Sequence, residues 1–184
     1  MDKQPKAKQA VPKPHATAVT NTQAGKADGG STIVVRIRGM RTTPRRSEHT
    51  MLLMNLSRKY HCAILPNDAI GRGMIEHAKD FITWGKASAK TVDELFAKRG
   101  HTADGKALTD DYLKSSKSGF SSVKELSAAV LAGTTRLSRV KQVKPIFRLT
   151  PPRAGSGSIK AIFPEGALGA RSEKEMDELI ASMI

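Results

Sequence analysis

The stretch Thr32-Ile-Val-Val-Arg-Ile-Arg38 predicts the first element of the fold, a β-strand. From Ile33 onward every second residue is aliphatic, so these side chains lie together on one face of the strand. Val34, Arg36 and Arg38 lie on the other face. The pattern predicts a strand with one aliphatic face toward a core and two arginines on the opposite side.

Two helices and two more strands follow this strand. Thr43-Pro44 is typical of a helix start, and Leu52, Leu53 and Leu56 are expected to face the core. The predicted elements are a helix over 44–57, a strand over 61–65, a second helix opened by Gly71-Arg72-Gly73, and a strand over 80–84. Together they form a β-α-β-α-β unit, and the alternation by itself favours a parallel sheet.

The remaining chain is predicted to be mainly helical. Capping-box patterns begin at Thr91, Ser122 and Ser172, each with Glu three residues later and apolar residues behind it. One strand is predicted over 143–149, and a Gly-Ser loop follows. We therefore expect three regions: a disordered basic arm over 1–31, a core over 32–86, and a helical extension over 87–184.

Composition points to a polyanionic partner. The 184 residues carry 31 Lys and Arg against 17 Asp and Glu, a net charge of +14. Phosphate contacts by such cations supply most of the sequence-independent affinity for nucleic acids. The arm has five Lys against two Asp and almost no large apolar residue, which is typical of a disordered segment.

Cysteine usage and hydropathy exclude several classes of protein. A single cysteine, Cys62, excludes a disulfide framework and a cysteine-cluster metal site. No apolar run reaches the ~20 residues of a membrane span, and the start of the chain lacks a signal-peptide core. We expect a cytosolic, soluble protein without a cofactor.

The signals for enzymatic chemistry are weak. Gly71-x-Gly73 is neither a dinucleotide fingerprint nor a phosphate-binding Walker loop, although contact with a phosphate is compatible with it. Cys62 is expected to be buried rather than nucleophilic. Asp110-Asp111 suits the first turn of a helix, where carboxylates favour the dipole. The histidines show no metal-ligand spacing.

The basic residues are the remaining functional signal. They cluster on the first strand, at both ends of the first helix, at the Gly71 turn and around the Pro-Pro segment. A solvated charged face is the alternative for any one of them. The candidate RNA-binding residues are Arg36, Arg38, Arg41, Arg45, Arg46, Arg58, Lys59, Arg72, Arg148, Arg153 and Lys160.

Eight stretches, read in order over about residues 33 to 184, carry a resemblance to a known family. They are Val35-Arg-Ile-Arg-Gly39, Arg72-Gly-Met74, Thr83-Trp-Gly85, Glu94-Leu-Phe-Ala-Lys-Arg-Gly100, Leu108-Thr-Asp-Asp-Tyr112, Val143-Lys-Pro-Ile-Phe-Arg-Leu-Thr-Pro-Pro-Arg153, Glu165-Gly-Ala-Leu-Gly-Ala-Arg171 and Glu178-Leu-Ile180. With these stretches in family order, the chain resembles the large-subunit ribosomal protein L-thirty family in its archaeal and eukaryotic form, whose eukaryotic member is called L-seven.

The resemblance implies a ferredoxin-like-related α+β core with a small antiparallel sheet, in place of the parallel sheet that alternation favours. It also implies a non-catalytic role: binding and stabilising folded large-subunit ribosomal RNA, beside neighbouring ribosomal proteins, on cytoplasmic ribosomes. The short Pro/Ala-rich arm matches archaeal members better than eukaryotic ones. A free RNA-binding regulator and a nucleotide-using enzyme are the rival hypotheses.

Overall fold

The computed structural model describes residues 30–41, 43–86, 88–115, 119–140, 142–153, 155 and 157–184. The predicted arm lies outside this part of the chain, except for Gly30 and Ser31. Ser31, the last residue of the predicted arm, already belongs to the first strand.

Three strands form the centre of the sheet. β1 (Ser31–Arg36) pairs antiparallel with both β2 (His61–Pro66) and β3 (Ile82–Gly85). The antiparallel sheet implied by the family resemblance is confirmed, and the parallel arrangement favoured by alternation is wrong. After the first helix, residues 54–60 carry the chain back to the end of the sheet where β1 stopped. β2 therefore starts there and runs the opposite way.

Six helices pack around the sheet in the described part of the chain. Their bounds are α1 Arg45–Leu53, α2 Ala69–Ala78, α3 Ala89–Arg99, α4 Asp110–Ser115, α5 Val123–Leu131 and α6 Glu173–Met183. A short 3₁₀ turn spans Leu137–Arg139. Within the described residues no helix is both long and apolar enough to cross a bilayer.

The extension also supplies strands, which the helical signals did not reveal. β4 (Phe147–Arg148), β5 (Ser158–Ile162) and β6 (Gly166–Arg171) complete a mixed sheet in the order β4-β2-β1-β3-β6-β5. β6 is parallel to β3, and β5 is parallel to β6. The strand expected over 143–149 shrinks to β4. β6 was missed because it consists largely of glycine and alanine, and β5 because its two isoleucines, Ile159 and Ile162, do not alternate.

Both faces of β1 are buried, unlike the one-sided strand of the sequence pattern. Ile33 and Val35 face a core that includes Phe96 of α3 and Leu126 of α5. Val34 faces the other core, with Met51 of α1. A strand with both faces covered cannot present its polar residues to solvent, and this determines where Arg36 lies.

Several helix ends were predicted from short sequence patterns, and the structure shifts some of them by a few residues. α1 ends at Leu53 rather than near residue 57. Leu52 and Leu53 are 49% and 62% exposed, so their predicted core positions are wrong; Leu56 is buried as expected. The helix faces the core through Met51 and Met54, which lie one position earlier and one later than the exposed pair.

Two of the three predicted capping residues are the N-caps. Ser122 accepts a hydrogen bond from the Glu125 N–H at 3.2 Å, and Ser172 forms a capping box in which Glu175 accepts the Ser172 N–H at 2.9 Å. The third helix starts earlier than Thr91, because Ser88 is its N-cap.

Candidate nucleic-acid interface

Arg36 is buried, with none of its surface exposed. Its Nε donates to the carbonyl of Arg38 at 2.9 Å, and Nη1 donates to the carbonyls of Leu56 at 2.8 Å and Ser57 at 3.3 Å. Desolvation lowers its pKa, partly offset by the charge of Glu48. The expectation that Arg36 lies on an open face is therefore wrong, since the second core covers that face of β1.

The backbone turn before β2 positions two exposed cations. Tyr60 has a φ of 63°, a left-handed conformation that is uncommon for a large side chain. Its N–H donates to the carbonyl of Arg36 at 2.7 Å, and its carbonyl accepts from Leu149 at 3.1 Å. This turn leaves Arg58 and Lys59 exposed at the end of the sheet, with the Lys59 ammonium 4.7 Å from the centre of the Tyr60 ring.

Arg38 lies at the same end, just after β1. Its guanidinium lies 5.0 Å from the centre of the Phe81 ring, and its Nη1 donates to the carbonyl of Asp80 at 3.3 Å. The aromatic ring and the carbonyl orient the guanidinium, and the side chain remains partly open to solvent.

The loop that leaves this end carries three more exposed arginines. Arg41 lies in the loop, and Arg45 and Arg46 form the first turn of α1. Pro44 is the N-cap and makes no side-chain cap bond; Thr43 instead donates to the Gly39 carbonyl at 2.8 Å. The amino end of α1, with its free N–H groups, therefore points toward solvent beside two cations.

β4 brings another cation to this end. Arg148 pairs with His61 across the β2–β4 ladder and is exposed. Arg153 is exposed on the loop after β4, five residues further along the chain. We call the solvent-accessible cations at this end of the sheet the basic edge: Arg38, Arg41, Arg45, Arg46, Arg58, Lys59 and Arg148.

His61 reports the electrostatics of the basic edge. Desolvation lowers its pKa most, and the charges of Arg148, Arg58 and Arg36 lower it further. The Arg58 N–H points to His61 Nδ1 at 3.3 Å, so Nδ1 is an acceptor and the ring is neutral. Burial and the positive charges of these arginines therefore both disfavour a proton on His61.

The positive charge of the basic edge is not neutralised within the described part of the chain. The ion pairs found there join Glu76 to Lys79, Glu94 to Lys98, and Asp68 to Arg136. None involves a member of the basic edge. A surface of unpaired cations on one side of a fold favours binding of a polyanion, because each bound phosphate reduces the electrostatic repulsion between neighbouring arginines.

Two sequence candidates lie elsewhere. Arg72 is near the start of α2, at the opposite end of β1, where its Nε donates to Asn67 Oδ1 at 2.8 Å. Lys160 is exposed on β5, the edge strand of the sheet. The structure does not bring either residue to the basic edge.

The Gly71 turn is a packing feature. Gly71 lies inside α2, and a Cβ there would come within 2.9 Å of the Pro66 carbonyl oxygen. The N-cap of α2 is Asp68, whose carboxylate pairs with Arg136. A negative side chain at the helix start disfavours a bound phosphate there.

Cys62 is buried, as expected, and burial raises the pKa of its thiol. A protonated, enclosed thiol is a poor nucleophile. Among the described residues, no group of three His, Cys, Asp or Glu side chains is arranged to hold a metal ion. Asp110 accepts the Val123 N–H at 2.8 Å, which gives it a structural contact between α4 and α5.

Sequence reasoning missed Tyr60 and His61 as residues that contact and position cations of the basic edge. Both directly follow Arg58 and Lys59 in the chain, so proximity was a signal for them. Their contribution depends on the left-handed turn and on the pairing with β4, and neither is encoded in a short pattern.

Comparisons with known proteins identify the family of the chain. No protein-family model matches the chain. Three archaeal proteins named large ribosomal subunit protein uL30 are similar to 82% of the chain. The protein of Archaeoglobus fulgidus is 36% identical over 150 residues, 97% of its length. Those of Staphylothermus marinus and Nanoarchaeum equitans are each 40% identical, over 96% and 97% of their lengths. At this identity and coverage, the chain belongs to the uL30 family of large ribosomal subunit proteins.

Proposed function

We propose that this protein is a structural component of the large ribosomal subunit and binds folded ribosomal RNA through the basic edge. One observation carries the proposal: seven cations lie at one end of the sheet, and none of them pairs with a carboxylate of the described residues. The family membership supplies the class of RNA. The role is non-catalytic, on ribosomes in the cytoplasm and beside other large-subunit proteins.

The mechanism is electrostatic and geometric. An arginine guanidinium can donate hydrogen bonds to two phosphate oxygens at once. Arginines can therefore hold phosphates that approach each other in folded RNA. The uncapped amino end of α1 adds backbone N–H donors next to Arg45 and Arg46. A phosphate there would offset the unfavourable placement of two cations at a helix start.

Rigid support for the basic edge comes from Arg36. Its three hydrogen bonds join the exit of β1 to residues 56 and 57, the segment that leads into the Arg58–Lys59 turn. We infer that Arg36 positions this surface and does not itself contact phosphate. Arg72 and Lys160 are at other places on the fold and would require a second RNA segment.

The salt dependence of RNA binding tests the basic edge. If about six phosphates are bound on duplex RNA, the logarithm of the association constant should fall with the logarithm of salt with a slope near −5, by analogy with DNA. The double variant Arg45→Ala/Arg46→Ala should reduce that slope by about two units and leave the melting temperature unchanged.

A matched control removes the same charge from another surface. Lys90→Ala/Lys174→Ala takes two exposed cations from α3 and α6 and should leave the slope nearly intact. If both double variants reduced the salt slope of RNA binding equally, net charge alone would drive binding, and a localised interface would be refuted.

Cosedimentation separates the ribosomal role from that of a free RNA-binding regulator. The tagged protein should remain with large subunits through a sucrose gradient at moderate salt. Recovery only at the top of the gradient would refute the ribosomal assignment, whatever the affinity for isolated RNA.

A further inference from the structure

A groove runs between α3 and α5, on the sheet face away from α1 and α2. It consists of two adjoining hollows of about 650 and 910 Å³ that share Asp93 and Lys124. Small side chains form much of its floor, among them Ala89, Ala97 and Ala128. Helices with small residues on an outer face leave room for an extended chain to lie against them.

The groove opens where the chain enters the fold. Gly30 and Ser31 line its first hollow, and the Ser31 hydroxyl donates to the carbonyl of Val130 in α5. The Gly30 carbonyl accepts from Asn67 at 3.2 Å, which fixes the entry point beside the end of α5. The 29 residues before Gly30 are thus attached at the mouth of the groove.

The charge of the groove is opposite to that of the protein. Five carboxylates and three lysines line the two hollows, whereas the chain as a whole carries +14. The carboxylates are Asp93, Glu94, Asp110, Asp111 and Glu173. The segment before Gly30 carries five lysines and two aspartates, with small and proline residues between them. Its charge and side-chain size both complement the groove.

We propose that residues 1–29 dock into the α3–α5 groove of their own chain, with lysines against its carboxylates. Reach is not limiting: α3 is about 16 Å long at 1.5 Å per residue, and an extended chain covers that distance with about five residues. Each surface ion pair contributes little, but tethering at the mouth gives an effective concentration in the millimolar range. The proposal does not rest on RNA binding.

Paramagnetic relaxation in the full chain tests this docking. Because Cys62 is buried, a nitroxide can be attached selectively at Ala16→Cys. At low salt, amides of Ala128 and Ala132 should lose at least about half of their intensity, whereas amides of α2 should keep theirs. About 0.5 M salt should restore the α5 signals, since the contacts are exposed.

Matched charge variants show whether the carboxylates hold the segment. Glu94→Gln/Asp111→Asn should restore the α5 signals, whereas Glu76→Gln/Asp80→Asn, which removes the same charge near the end of α2, should not. The proposal would be overturned if the nitroxide broadened amide signals evenly over the fold or mainly in α2. It would also be overturned if Glu94→Gln/Asp111→Asn left the broadening of α5 unchanged. Broadening between labelled and unlabelled copies in a mixed sample would also overturn it, since it would identify a second copy as the occupant.

Discussion

Replacing Arg36 by methionine separates support of the basic edge from contact with RNA. Methionine keeps an unbranched stem of similar length but removes the three donors that satisfy the carbonyls of Arg38, Leu56 and Ser57. Two opposing terms decide the result. Buried carbonyls lose charged hydrogen bonds, and the protein no longer has to desolvate a guanidinium.

The first term is larger, because the Leu56 carbonyl remains buried after the substitution and those of Arg38 and Ser57 remain partly buried. Net losses of about 1 to 2 kcal/mol for each of three charge-assisted bonds exceed the relief from removing one cation. We expect the free energy of unfolding to fall by about 3 kcal/mol, or the melting temperature by about 10 °C for a fold of this size.

Arg148→Met is the matched control. Arg148 is exposed on β4 and makes none of those bonds, so its removal should change stability by less than about 0.5 kcal/mol. It should, however, reduce the salt slope of RNA binding by about one unit.

Thermal melting and salt-dependent RNA titrations of both variants decide between the roles. If Arg36→Met keeps the melting temperature of the wild type and reduces the salt slope, then Arg36 reaches phosphate and our assignment of a buried supporting role is wrong.

Three further substitutions or titrations test the interior. Burial and three neighbouring arginines lower the folded-state pKa of His61. The free energy of unfolding should therefore be constant above pH ~6.5, the unfolded-state pKa, and fall as the pH drops below it. Urea unfolding at pH 5.5 and 7.5 should show this fall in the wild type and not in His61→Gln. The Cys62 thiol should resist Ellman's reagent in the native protein and react fully in urea, and rapid native labelling would contradict its burial. Phe96→Ala should reduce the free energy of unfolding by about 3 to 5 kcal/mol, because the ring is buried with its centre 5.0 Å from that of Phe147; a loss below about 1 kcal/mol would argue against this packing.

Short-range patterns located most of the elements. Alternation over residues 32–38 and the start at His61 correctly placed β1 and β2, and the Ser122 and Ser172 signals correctly placed the starts of α5 and α6. These features depend on residues within one or two turns, so they are present in the chain itself. Strand direction is different, because residues 54–60 reverse the chain without any regular pattern.

The basic edge shows the same division. The amino-acid sequence by itself determined that this protein carries a large excess of positive charge, and which arginines and lysines surround the first strand and helix. Only the tertiary structure decided which of them are open to a partner. Helices on both faces of β1 bury Arg36, while the β2–β4 pairing brings Arg148, 90 residues beyond Arg58 in the chain, to the same end of the sheet. Exposure and proximity depend on what packs against a residue, and that is a property of the whole fold.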